Sequence, residues 1–111
     1  MEDNSVLHLT GSVIKPALVS AVGKWYAETH IPMLMEFEPL REVRLCRRLY
    51  DKAEYPNYVV MYKFDNPGAF QAYESSPELA AAHKDRLQQW QGSDFDVKWR
   101  VQYGVIQSWK K

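Results

Sequence analysis

Residues 40–65 read LREVRLCRRLYDKAEYPNYVVMYKFD, and this stretch decides the fold. Over residues 40–51, apolar side chains alternate with arginine, cysteine and tyrosine, which is the period-two pattern of a strand with two different faces. Residues 52–57 form a turn that contains a proline, and residues 58–65 are rich in β-branched and aromatic residues. The centre of the chain therefore predicts two consecutive strands joined by a turn.

A first helix is predicted before this pair of strands. Pro16 opens it, since a first turn tolerates a residue without an N–H group. Apolar and aromatic residues then recur every three or four positions, as one stripe of a helix. The stripe consists of Val19, Val22, Tyr26 and His30. Pro32 disfavours helical geometry at Ile31, so we expect a break or kink there and a short second piece that begins at Pro32.

A second helix is predicted after the pair of strands. Asn66 is a suitable N-cap with Pro67 at the first helical position, and Ser75 and Glu78 have the spacing of a capping box that restarts the helix. A row of residues at spacings of four, four and three predicts the side that faces the core. The row consists of Leu79, His83, Leu87 and Trp90.

An outer strand is predicted at each end of the chain, over residues 5–13 and 94–109. In the first strand, Leu7, Leu9 and Val13 share one parity, and the opposite parity carries Val6, His8, Thr10 and Ser12. In the last strand, one face is predicted to carry Phe95, Val97, Trp99, Val101, Tyr103 and Val105. The other face is predicted to carry Asp96, Lys98, Arg100 and Gln102.

The order of elements is β-α-β-β-α-β, which predicts an α+β, ferredoxin-like fold with a four-stranded antiparallel sheet and both helices on one face. We expect residues 1–111 to form a single domain. The other sheet face lacks a cover and is partly apolar, so we expect a homodimer joined through the sheet face, as a dimeric α/β barrel.

Composition narrows the class of protein. The 111 residues carry 14 Lys and Arg against 14 Asp and Glu, without the basic excess of nucleic-acid-binding modules, so we expect no nucleic-acid partner. No apolar run approaches the roughly 18 residues of a membrane span, and the acidic start lacks the features of a signal peptide. A single cysteine, Cys46, fits a reducing compartment and predicts a buried, small apolar residue. We therefore expect a cytoplasmic protein without a membrane partner.

Several segments resemble one known superfamily. They are Trp25 with His30-Ile31-Pro32, the second strand REVRLCRRL, the third strand YVVMYKF, and Tyr73 with Pro77, Leu79 and His83. Together they resemble the dimeric α/β-barrel superfamily across about residues 5–106, and most of all its small EthD-like families, including an uncharacterised branch of unknown function. The resemblance implies a reaction cavity between the sheet and the two helices. Members similar to polyketide cyclases use a histidine near the second helix together with a tyrosine, which correspond here to His83 and Tyr73.

The histidines are the main candidates for chemistry. His30 could satisfy a backbone group at the helix break, act as an acid or base facing a cavity, or bind a metal. His83 could be a hydrogen-bonded core residue or share a cavity with His30. His8 could be a third member of that cavity, or could face the dimer interface because its parity is opposite to that of Leu7 and Leu9. The chain has no HxH or HExxH motif and no helical histidine pair, so we expect no metal site.

Aromatic and basic residues leave further alternatives open. The aromatic side chains are either core residues or the walls of a cavity for a flat organic ligand. They are Trp25, Tyr26, Tyr62, Tyr73 and Trp99. The basic side chains on two strands are either solvated, paired with acids such as Asp96, or part of an anion site. They are Arg44, Arg48, Lys98 and Arg100. Because no phosphate-binding loop and no dinucleotide or flavin fingerprint is present, we expect no cofactor.

These residues predict a homodimer that binds a small organic molecule. One interpretation is a cofactor-free lyase, cyclase or isomerase acting on an aromatic or polyketide-like substrate. In that case His83 or His30 takes a proton, Tyr73 or Tyr26 orients a carbonyl, and Trp25 walls the cavity. Tyr62 and His8 are further candidate ligand contacts. The alternatives are a non-enzymatic ligand-binding or structural dimer, and a haem-linked or cofactor-free monooxygenase.

Overall fold

The computed structural model describes residues 3–111 as one four-stranded sheet with helices against one face. The strands are β1 (Val6–Ile14), β2 (Leu40–Arg47), β3 (Tyr58–Phe64) and β4 (Phe95–Gly104). The α-helices are α1 (Val19–Trp25), α2 (Ile31–Met35), α3 (Pro67–Glu74) and α4 (Pro77–Gln89). The strand order is β2-β3-β1-β4 with every neighbouring pair antiparallel, which confirms the predicted α+β, ferredoxin-like arrangement.

The core lies between the helices and one face of the two central strands. Every second residue of β3 is buried, and so are four of the five even-numbered residues of β1, whereas Gly11 is the one odd-numbered residue of β1 that is buried. The buried side chains on this face are Val6, His8, Ser12 and Ile14 of β1 and Tyr58, Val60, Tyr62 and Phe64 of β3. This period of two places the side chains of both central strands under the helices, and it fixes the register of their pairing.

The first helical segment runs from Pro16 to Met35 without the predicted break. It passes from a 3-10 turn through α1, then through a π-helix over Tyr26–His30, and on into α2. The N–H of Ile31 donates to the carbonyl of Tyr26, five residues earlier, as a π turn requires. Pro32 has no N–H group, and in an α-helix its ring would collide with the carbonyl four residues before it. The wider π turn accommodates the proline, so the chain stays helical.

Helix α4 presents a different side to the core than its apolar row predicts. Ala82 is completely buried, whereas 59% of the Leu87 side chain is exposed and His83 is also exposed. Partly buried Leu79 and Arg86 flank Ala82 at spacings of three and four. The predicted core row through His83 and Leu87 is therefore wrong by about one residue, because the small Ala82 side chain allows the helix to approach its neighbours closely.

A bulge in β4 places the residues that follow it on the opposite sheet face from the one that their alternation predicts. Gly11 of β1 pairs with Trp99, but the next residue, Ser12, pairs with Val97, so Lys98 has no partner in β1. An extra residue in one strand shifts its alternation by one position. Phe95 and Val97 therefore share the helix-facing side with Arg100 and Gln102, and the prediction of one unbroken apolar face is wrong.

No helix of the described residues 3–111 packs on the opposite face of the sheet. Partly buried Leu9, Met61 and Val101 lie there on neighbouring strands, and the Trp99 ring packs directly over Gly11, where a Cβ atom would overlap it. Cys46 is exposed, so its predicted burial is wrong. Among the helices within residues 3–111, none has the length and apolar character needed to cross a membrane.

Candidate functional site

A cavity of about 70 Å³ lies between the sheet and the helices, and it is lined by the polar residues that the sequence singles out. All three histidines of the chain line it, together with three tyrosines and two arginines. They are His8, His30, His83, Tyr26, Tyr62, Tyr73, Arg86 and Arg100. The lining residues come from β1, β3 and β4, from the π-helix, and from α3 and α4, so the fold itself assembles the site.

His8 belongs to the cavity and not to the open sheet face. Its ring is 7% exposed and lies 5.1 Å from the ring of Phe70 and 5.5 Å from that of Tyr62, between centroids. The interpretation of His8 as an interface residue is therefore wrong. Both faces of β1 carry apolar side chains, Leu7 and Leu9 on one and Val6 on the other. The alternation of residues in β1 therefore could not predict which of its faces packs against the helices.

The protonation of His8 follows from its neighbours. The side-chain amide nitrogen of Gln102 lies 3.0 Å from His8 Nδ1. An amide NH₂ group donates, so Nδ1 accepts and the proton of the neutral ring is on Nε2. Burial, with a smaller contribution from the positive charge of Arg100, lowers the pKa of His8 to about 4. His8 is neutral at pH 7.

His30 occupies the last position of the π-helix. Its ring is 8% exposed and stacks on Trp25, with ring centroids 4.5 Å apart and planes at 25°. Its Nδ1 atom is buried and has no hydrogen-bond partner within residues 3–111. Burial, followed by the charge of Arg86, lowers the pKa of His30 to about 4. His30 is a buried, neutral imidazole at the wall of the cavity.

Trp25 lies behind the wall of the cavity and not on it, whereas His83 lines the same cavity as His30, as one interpretation predicted. The indole N–H of Trp25 donates to Asp85 at 2.8 Å and joins α1 to α4, while its ring lies behind His30. Trp25 therefore supports the wall without lining the cavity. His83 lies at the exposed rim, and partial burial together with Arg86 and Arg100 lowers its pKa.

The three tyrosines of the cavity keep their protons. Burial raises the pKa of Tyr26 to about 12, and it also raises the pKa values of Tyr62 and Tyr73. The rings of Tyr62 and Tyr73 lie 6.5 Å apart, on β3 and α3. Each hydroxyl group can therefore donate a hydrogen bond to a ligand oxygen near neutral pH.

Two arginines complete the site. Arg86 was not predicted as a site residue, whereas Arg100 belongs to the basic residues for which an anion site was one of the alternatives. Arg86 lies 5.5 Å above the ring of Phe95, and Arg100 lies beside it on β4, close enough for its charge to lower the pKa of Arg86, after the larger effect of burial. The sequence carried no signal for Arg86, because only the burial of Ala82, four residues earlier, shows that this side of α4 faces the core. It carried none for the orientation of Arg100 either, because the bulge in β4 has no marker in the sequence.

Two of the basic side chains outside the cavity form pairs with acidic neighbours, as one interpretation predicted, whereas partly buried Arg48 donates to the backbone carbonyls of Lys52 and Tyr55. Arg44 contacts Glu42 at 3.1 Å and Lys98 contacts Asp96 at 2.6 Å, all at the surface. Within residues 3–111, no group of three or more histidine, cysteine or acidic side chains is arranged to hold a metal ion.

The model of one family, a domain of unknown function called DUF4286, matches residues 6–101. The chain belongs to the DUF4286 family. This agrees with the predicted resemblance to an uncharacterised branch of the EthD-like families. No curated protein is similar enough in sequence to be recognised as a relative.

Solved structures share the fold of this DUF4286 domain. An EthD family protein from Bacillus halodurans has a TM-score of 0.68 at 17% identity, covering 96% of this chain and 100% of its own. A mutant of SnoaB, a cofactor-independent oxygenase from Streptomyces nogalater, has a TM-score of 0.71 at 14% identity, covering 97% and 99%. A dimeric ferredoxin-like protein of unknown function from Jannaschia has a TM-score of 0.62 at 18% identity, covering 91% and 99%. At these identities the similarity establishes the fold and leaves function to the site.

Proposed function

We propose that this DUF4286 protein is a homodimer that binds small carbonyl compounds and converts them by proton transfer, without a cofactor, as a lyase, cyclase or isomerase. The convergence of three histidines and three tyrosines on one cavity is the observation that supports this most. The volume of about 70 Å³ is well below the roughly 300–1,000 Å³ of sites for drug-sized ligands, so only a compact ligand, or the compact end of a longer one, fits inside.

The proposed chemistry uses the protonation states of the lining residues. A carbon–hydrogen bond next to the ligand carbonyl breaks, its proton passes to the imidazole of His30, and its electron pair forms an enolate. The enolate oxygen accepts a hydrogen bond from the hydroxyl of Tyr73 or Tyr26, and the positive charge of Arg100 stabilises the developing negative charge. In a ligand with a carbon–carbon double bond next to the carbon that loses the proton, the electron pair is shared with that double bond. The imidazolium of His30 then returns the proton to the far carbon of the double bond, which completes an isomerisation. In a ligand with a second carbonyl group, the enolate carbon attacks that carbonyl carbon, and the imidazolium gives its proton to the resulting alkoxide, which closes a ring.

Hydrogen–deuterium exchange tests this proposal directly. We expect the protein to accelerate the incorporation of deuterium into acetone in D₂O, followed by NMR. Because general acid–base groups contribute about 10²–10⁴-fold, His30→Gln should lower the rate by at least about tenfold. Tyr73→Phe should also lower it, whereas Tyr55→Phe, which changes an exposed tyrosine outside the cavity, should not. Wild-type exchange no faster than that of buffer would contradict the catalytic part of the proposal.

Ligand binding without turnover is the second candidate function. The low pKa of His8 and His30, about 4 in each case, favours it, because a base so weak removes protons slowly. Binding of acetone detected through shifts in the histidine ring signals, without any deuterium incorporation, would establish this candidate.

The homodimer is proposed on the basis of the open sheet face. Apolar residues from three strands are uncovered there, and large uncovered apolar faces are typical of interfaces. The Jannaschia protein of the same fold is described as dimeric. A cytoplasmic location is proposed on the single cysteine, Cys46, which is exposed and free.

A further inference from the structure

The cavity has an excess of positive charge that proton transfer alone does not require. Two arginines, Arg86 and Arg100, line it, and none of the described residues that line it is acidic. Within residues 3–111, neither guanidinium group forms an ion pair, although five other basic side chains do. The nearest carboxylate in sequence, that of Asp85, accepts the indole N–H of Trp25.

Arg86 is partly buried over the Phe95 ring, and Arg100, an exposed residue at the same cavity, is close enough for its positive charge to act on Arg86. Repulsion between two like charges without a counter-charge is unfavourable. An anionic ligand would offset both the repulsion and the desolvation of the guanidinium group. A second, independent feature also points to a ligand. His30 is only 8% exposed, lines the same cavity, and has an Nδ1 atom without a hydrogen-bond partner among the described residues.

We propose that the cavity recognises a short-chain carboxylate, held by the guanidinium groups of Arg86 and Arg100, and that the substrate is therefore a compact oxo acid. This assignment rests on the proposed function, because it names the ligand class of the same site. A planar carboxylate matches the fork of N–H donors on arginine. Apolar Leu79 and Val97 on the cavity wall suit a short carbon chain, and the cavity volume of about 70 Å³ limits its length.

The test compares ligands that differ only in charge. Propionate and propionamide are nearly identical in shape, and their binding can be followed through the histidine ring signals in NMR titrations. A hydrogen bond to a charged group raises the affinity roughly tenfold over a hydrogen bond between neutral groups. We therefore expect propionate to bind at least about tenfold more tightly than propionamide. Inorganic phosphate is the second anion, and we expect it to bind more weakly than propionate.

Substitutions of the two arginines test whether their guanidinium groups cause the preference for propionate. Arg100→Gln and Arg86→Gln should each weaken propionate binding at least about fivefold and leave propionamide unaffected. Lys84→Gln is the matched control, because it removes one charge from an exposed position of α4 and should change the affinity less than about twofold. If Arg86→Gln does not fold, Arg86→Lys keeps the charge but removes the fork, and it should still weaken propionate binding.

Each result has one meaning. Equal binding of propionate and propionamide would overturn the carboxylate assignment and leave small-molecule binding intact. Stronger binding of phosphate would overturn it in favour of an oxyanion site. An equal loss of propionate affinity in Lys84→Gln would reduce the effect to general surface charge and also overturn it. Binding of neither ligand would contradict the proposed function itself.

Discussion

At the scale of single residues, two buried histidines should make the stability of the protein depend on pH. The pKa of His30 is about 4 in the folded protein against 6.5 in an exposed ring. Between these two pH values the unfolded chain therefore binds more protons than the folded protein. The contribution of the neutral His30 ring to the unfolding free energy is complete above about pH 6.5 and is lost as the pH falls towards 4. His8 acts in the same direction.

We predict that His30→Gln will flatten this dependence. One fewer proton is then taken up on unfolding, so the slope of unfolding free energy between pH 5 and 6.5 should fall by about 1 kcal/mol per pH unit. Urea unfolding at several pH values measures the slope. Because this pH range lies above the ordinary pKa of aspartate, the titration of most carboxylates contributes little to the slope. An unchanged slope would contradict a neutral, buried His30.

At the scale of elements, a glycine marks where α1 approaches the sheet. A Cβ atom at Gly23 would lie 2.5 Å from the hydroxyl oxygen of Tyr58, which donates to the carbonyl of Val19 at 2.8 Å. In most helices Gly→Ala stabilises by up to about 1 kcal/mol, but here we predict that Gly23→Ala destabilises by about 1–2 kcal/mol, because it displaces that hydroxyl.

Removing the hydroxyl should reverse the effect of Gly23→Ala. In a Tyr58→Phe background, the same change should be neutral or stabilising by chemical denaturation. Gly92→Ala is the control, because apart from its two chain neighbours no atom of the described residues lies within 4 Å of a Cβ atom there. A loss of stability that persists in the Tyr58→Phe background would show that the hydroxyl group is not the cause.

A second prediction at this scale concerns the side of α4 that faces the core. Leu87 is mostly exposed, so Leu87→Ala should cost less than about 0.5 kcal/mol. Partly buried Trp90 packs edge-on against Trp25 with ring centroids 5.9 Å apart, so Trp90→Ala should cost about 2–4 kcal/mol. Ala82→Leu should cost about 1–3 kcal/mol through overpacking. If Leu87→Ala lowers the unfolding free energy strongly and Ala82→Leu does not, the side of α4 that carries His83 and Leu87 faces the core, as the apolar row predicts.

The elements also show how far the sequence determines this structure. Period-two strands and capped helices predict the order of elements and the fold, because each signal is local. The orientation of Arg100 was not predictable, since one unpaired residue, Lys98, shifts the alternation without any change in composition. The same limit applies to α4, where a small buried Ala82 competes with the larger Leu87. The histidines, Tyr26, Tyr62 and Tyr73 were identified as candidates by residue type, but only the bulge and the π turn bring Arg100 and His30 to the same cavity.

At the scale of the whole molecule, the two faces of the sheet differ in what they contact: one packs against the helices around the cavity, and the other is uncovered in the described residues. The helix-facing side builds the cavity, and its polar residues are enclosed by aromatic rings. The other side presents apolar residues with nothing over them among residues 3–111, including Trp99, 39% exposed, and Tyr103, 57% exposed. A face of this kind gains stability when a second sheet covers it, at roughly 25 cal/mol for each Å² of apolar surface buried. The cavity and the open face are on opposite sides of one sheet, so association and ligand binding can be changed separately.

We therefore predict a dimer with a mass near twice 13.0 kDa, measured by light scattering at micromolar concentration. Met61 lies on the open face of β3, beside Leu9 of β1. Met61→Lys would place a charge in the middle of a dry interface, where an unpaired charge is costly, so this variant should run as a monomer of 13.0 kDa that keeps its fold by circular dichroism. Leu87→Lys is the matched control, since it adds the same charge at an exposed position of α4 and should leave the dimer intact. A monomeric wild-type protein, or a Leu87→Lys variant that dissociates while Met61→Lys does not, would contradict an interface through the sheet face.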